Sequence, residues 1–140
     1  MTAALRTLAA FVAASLGALA SANETCAPPG DFEARGWIQS DGILVVYRTR
    51  PAQIEVGRHF TIEAIVCTRG DAVQATGLAV DALMPNHLHG MNYRPRVSAQ
   101  GDGRYVAEGL LFHMPGRWRL LFDVEVPSGS ERMWQDIELE

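Results

Sequence analysis

The chain contains no lysine, so all twelve of its basic residues are arginine, and sixteen acidic residues leave a formal net charge of −4. A mildly acidic domain has no electrostatic reason to seek nucleic acid. Cysteine is scarce as well: Cys26 and Cys67 are the two in the sequence. Neither lies in a C-x-x-C or C-x-x-C-H pattern, which excludes thioredoxin-like redox chemistry and c-type haem attachment. Beyond the first residues no stretch is apolar over the roughly twenty residues a membrane-spanning helix needs. There is no amphipathic run of helical length, no internal repeat and no nucleophile-elbow motif. Gly101-Asp102-Gly103 reads as a hairpin turn and not a phosphate loop, because it neither opens a helix nor follows a nucleotide-binding strand pattern. Nothing in the sequence argues for an enzyme.

What is present begins with an export signal. Arg6 supplies a positive start, Leu8 to Leu19 an apolar run, and Ala20-Ser21-Ala22 an A-x-A cleavage site. Cleavage after Ala22 is expected to release a single domain, residues 23–140, into the periplasm with no stable membrane anchor. In an oxidising compartment paired thiols form disulfides. A Cys26–Cys67 bridge is therefore expected, tying the start of the mature chain to an interior strand; the alternative is a cysteine metal ligand.

The rest of the chain is a series of short β-branched or aromatic runs separated by turn residues. Ile43 to Arg50 is closed by Pro51. Phe60, Ile62, Ala64 and Val66 then alternate with partners of the opposite face. Leu78, Val80 and Ala82 repeat the pattern. Tyr93 to Ala99, Tyr105 to His113, a strand carrying Trp118, Leu120, Phe122 and Val124, and a last one carrying Met133, Gln135, Ile137 and Leu139 follow. About seven strands with turns at such intervals predict an all-β, immunoglobulin-like β-sandwich, with a small barrel as the competing architecture. If strand direction alternates, the strands ending near Leu83 and His113 run the same way.

Those two strand ends hold unusual chemistry. Met84-Pro85-Asn86-His87-Leu88-His89-Gly90-Met91 and His113-Met114 contain three of the four histidines and three of the five methionines. In an extended segment residues two apart share a side, so His87, His89 and Met91 are expected to converge, with His113 and Met114 joining them. Met84 is balanced between ligand and packing, as is Met114. His59 reads as a surface residue and Met133 as core filler. Calcium or magnesium would need several carboxylate oxygens, which both clusters lack. Zinc has little use for thioether. Cu(I) accepts thioether and imidazole, and Cu(II) accepts imidazole, so copper is expected, with Cu(I) favoured. A blue-copper site needs a Cys thiolate beside the histidines, and neither cysteine stands there. Arg94 and Arg96 follow the histidine loop and read first as a solvated face, with binding of an anionic partner as the functional alternative.

The segment MPNHLHGMNYRP, followed by GDGRYVAEGLLFHMPGRWRLLFDV, resembles the YtkA-like family of exported domains, related in fold to FixH-like and CopC-like proteins. That resemblance implies an immunoglobulin-like sandwich and a copper-related role in the maturation of periplasmic or respiratory redox enzymes. The expectation is thus a periplasmic copper-binding or copper-delivery domain, possible partners being a redox enzyme or another metal-delivery protein. Its competitor is a non-enzymatic interaction module that assists assembly of a redox enzyme.

Overall fold

Alternation of apolar and polar residues puts one face of each strand toward a common interior, and the chain obeys this rule nearly throughout. The computed structural model describes residues 28–40, 42–68 and 75–140. Among these residues there are nine strands: β1 (Gly36–Ser40), β2 (Ile43–Arg50), β3 (His59–Thr68), β4 (Gly77–Met84), β5 (His89–Gly90), β6 (Arg96–Gly101), β7 (Arg104–Leu111), β8 (Gly116–Val126) and β9 (Gly129–Leu139). They form two antiparallel sheets, ordered β1-β2-β3-β7-β6 and β5-β4-β8-β9. With no ladder joining the sheets into a closed ring, the fold is the expected all-β sandwich and not a barrel. No helix among the described residues is long and apolar enough to cross a membrane.

The faces read from the sequence meet inside. Phe60, Ile62, Ala64 and Val66 of β3 pack in one core with Leu78, Val80 and Ala82 of β4 and with Trp118, Leu120, Phe122 and Val124 of β8. Met133 joins them as core filler. The strand count differs from about seven because two elements carry almost no pattern. β1 pairs along β2 from Gly36↔Tyr47 to Ser40↔Ile43, and β5 is only two residues long. The Pro127-to-Ser130 turn is tighter than expected: Val126 already pairs with Gly129, leaving Pro127 and Ser128 as the hairpin loop.

The outer face of β3 is buried too, at Ile65 and Cys67, the latter 2% exposed. A strand's own alternation cannot specify that, because what covers an outer face comes from elsewhere in the chain. No free cysteine occurs among the described residues. Cys26, the expected partner of Cys67, lies outside them, as do the signal sequence, its Ala22 cleavage site and the Arg69-Gly70-Asp71 turn.

Sheet direction decides where the histidines go. β3 begins, and β4 and β7 end, at one end of the sandwich. His59 opens β3 opposite Leu111, two residues before His113, while His87 and His89 follow the end of β4. All four histidines therefore gather at this end.

Candidate metal centre

The His/Met segment is a hairpin. Residues 85–88 form a turn between β4 and β5, and Met84 pairs directly with His89. The backbone N–H groups of His87 and Leu88 both donate to the carbonyl of Met84, at 3.1 and 3.0 Å, and the N–H of Met91 donates to Ala82 at 3.2 Å. Leu88 takes φ +53° at the tip, a left-handed conformation that a leucine adopts at a cost. Gly90 lets the returning strand lie close, since a Cβ there would stand 3.2 Å from the Ala82 carbonyl oxygen.

This corrects the route by which the residues were expected to meet. His87 and His89 share a side because a tight turn folds one back toward the other, and not because the segment is extended. Their ring centroids are 5.8 Å apart. The second cluster does arrive at the same end: the His113 ring lies 5.2 Å from that of His89, nearly parallel at 28°. With a metal–nitrogen bond of about 2.0 Å, two imidazoles on one ion hold their centroids roughly 5–6 Å apart. Both separations fall in that range, and His89 is the ring common to them.

Two nitrogens here have no protein partner. His89 Nε2 and His113 Nδ1 are buried and make no hydrogen bond. A buried polar atom left without a partner costs about 1–3 kcal/mol, and a water or an ion at these nitrogens would offset that cost. Met91 and Met114 are half-buried against the core. Met84 is different: at 1% exposure it belongs to the core itself, and its Cε lies 3.3 Å from the position a Cβ on Gly116 would take. Packing alone accounts for where Met84 sits. Gly116 has φ +109°, a backbone conformation that glycine adopts without the steric cost a Cβ would bring.

Among the described residues no group of three or more His, Cys, Asp or Glu side chains is placed to hold an ion. The two ring separations do not amount to such a group, and His87 is exposed on the hairpin.

One residue of this end was not singled out from the sequence. Trp118, fully buried, stands steeply inclined to the rings of both His89 and His113, with centroids 6.3 and 5.3 Å away. It stacks on Phe112 at 4.5 Å, and its indole N–H donates to the Met114 carbonyl at 3.0 Å. It is thus the floor that holds His113 and Met114 in place. Its position four residues after Met114 was the available signal, but the strand pattern already explained it as core. His59 is exposed, as expected, with its ring 6.0 Å from that of Tyr93.

No protein-family profile, characterised protein or solved structure matches this chain. The likeness to YtkA-like domains rests on the quoted segments alone.

Proposed function

We propose that this chain is an exported copper-binding or copper-delivery domain of the YtkA-like kind, working in the periplasm without enzymatic activity of its own. His87, His89 and Met91 are its principal ligands, and His113 and Met114 complete the site. The observation that carries this reading is the pair of buried, partnerless nitrogens on His89 and His113, their rings 5.2 Å apart by centroid, with the half-buried Met91 and Met114 two and one residues along the chain from them. Two imidazoles with one or two thioethers suit Cu(I), which tolerates low coordination numbers and soft donors. Met84, held in the core, takes part only if it gives up packing.

Titration with Cu(I) against a competing chelator tests the reading. Replacing Met91 by leucine keeps most of the side-chain volume and removes the sulfur. Cu(I) affinity is expected to fall roughly tenfold while Cu(II) affinity changes little, because the thioether favours the softer ion. Equal losses for the two oxidation states would remove Met91 from the ligand set, and failure of the parent to bind copper would end the copper reading.

One observation favours the competing reading of a docking module for redox-enzyme assembly. Leu88 is 92% exposed at the hairpin tip and Tyr93 58% exposed nearby. Exposed apolar side chains at a loop tip suit a protein contact. In that case Leu88→Ser would impair partner assembly while His87→Gln would not.

The Cys26–Cys67 disulfide belongs to the same proposal, since it presupposes export. Cys67 sits buried on the outer face of β3, and closing a loop of about forty residues to it would stabilise the fold by roughly 3–4 kcal/mol in the chain-entropy treatment. Thiol labelling of protein unfolded without reductant is expected to find no reactive cysteine. Two labelled thiols would refute the bridge.

A further inference from the structure

We propose that Arg94 and Arg96 form a positive approach to the His/Met end of the sandwich that steers an acidic protein partner into copper exchange, an inference that rests on the copper reading above. Six arginines of this chain are neutralised by carboxylates: Arg48 and Arg50 by Glu63, Arg58 by Glu55, Arg117 by Glu138, Arg119 by Asp136 and Arg132 by Asp123. Arg94 and Arg96 are exposed and, like Arg35 and Arg104 elsewhere on the surface, form no salt bridge among the described residues. Arg96 stands opposite Glu108 in the β6–β7 register, yet no salt bridge joins them. Arg94 lies in the loop between β5 and β6, three residues past Met91, and no acidic residue occurs from Met84 to Arg96.

The physical consequence is local. A chain of net charge −4 repels an acidic partner at long range, but at physiological ionic strength charges beyond about 8 Å are largely screened. Close approach is then governed by the nearest uncompensated charges. The segment that follows the ligand hairpin carries two guanidiniums against one facing carboxylate, Glu108 opposite Arg96, and is locally positive; guanidiniums pair with carboxylates in bidentate fashion. Leu88 and Tyr93 add exposed apolar surface at the same end, so an acidic protein surface finds both charge complementarity and a contact to dehydrate. The exchange is a ligand substitution. Thioether or imidazole donors of the acceptor replace those of Met91, Met114 and the histidines, and copper stays Cu(I) with no electron transferred.

The test uses the chain purified from the exported fraction and loaded with Cu(I). Stopped-flow transfer is measured to a synthetic methionine- and histidine-containing peptide flanked by glutamates, and to the same peptide flanked by glutamines. The glutamate peptide is expected to react on the order of tenfold faster at low ionic strength, with the preference vanishing in high salt. In the Arg94→Gln/Arg96→Gln double variant the preference should disappear while the equilibrium Cu(I) affinity matches the parent. Equal rates for the two peptides in the parent, or a preference that survives in the double variant, overturn the proposal. So does binding of the parent to phosphatidylglycerol vesicles without discrimination between peptides, which would make the patch a lipid contact. Absence of Cu(I) binding by the parent is read separately in the equilibrium titration, and it ends the copper reading and this inference together.

Discussion

A His89→Gln variant is expected to lose Cu(I) affinity by roughly a hundredfold or more, the largest binding effect of any single change at this end. Removal of groups that merely orient a ligand already costs about 10–100-fold, and in the proposed site His89 is the imidazole that neighbours both of the others. Its ring stands 5.8 Å from His87 and 5.2 Å from His113, and its Nε2 is buried without a partner. His87→Gln should cost less, on the order of tenfold, because His87 is exposed on the hairpin and solvent can replace it. The metal-free protein gives the control. A ligand nitrogen left unsatisfied by the fold costs stability without metal, so His89→Gln should melt no lower than the parent when copper is absent. Copper bound as tightly as in the parent would remove His89 from the site. A large fall in the apo melting temperature would instead make His89 a packing residue.

The largest stability effect is expected at Trp118. It is fully buried, stacks on Phe112 at 4.5 Å and donates its indole N–H to the Met114 carbonyl. Truncation of a buried aromatic to alanine costs about 3–5 kcal/mol through lost burial and the cavity left behind. Trp118→Ala should therefore shift the urea midpoint sharply, and a loss under about 1 kcal/mol would show that the ring is not central to the core. Trp118→Phe separates packing from positioning. It keeps a ring against Phe112 but removes the donor to Met114 and reduces the ring surface beside His89 and His113. Stability should fall modestly, while Cu(I) affinity should drop roughly tenfold, as for other groups that orient ligands. Unchanged affinity in the phenylalanine variant would mean that Trp118 supports the fold alone.

How much of this was legible beforehand depended on whether the information was local. The alternations Phe60-Ile62-Ala64-Val66 and Trp118-Leu120-Phe122-Val124 could be read directly, because burial of one strand face leaves a period of two in the sequence. Both sets lie in the core. β1 could not be read, since it is an edge strand of five residues with little apolar content. β5 could not either: two residues leave no period to detect, and they are a strand only because β4 lies beside them. The same limit explains the mistaken route to the histidine cluster. An extended segment and a tight hairpin both bring residues 87 and 89 to one side, and the choice is made by backbone hydrogen bonds to Met84 and Ala82.

By itself, the sequence determined the all-β class, the faces that form the core and the presence of imidazole and thioether donors near two strand ends. These follow from side-chain chemistry and strand periodicity, which act over neighbouring residues. Tertiary structure alone decided that His113 stacks beside His89, that Met84 sinks into the core, that Trp118 packs beneath both rings and that Arg96 faces Glu108 across the ladder. Each of those outcomes depends on which strand lies next to which. Strand order is set by the packing of whole sheets, so no local pattern in the chain encodes it.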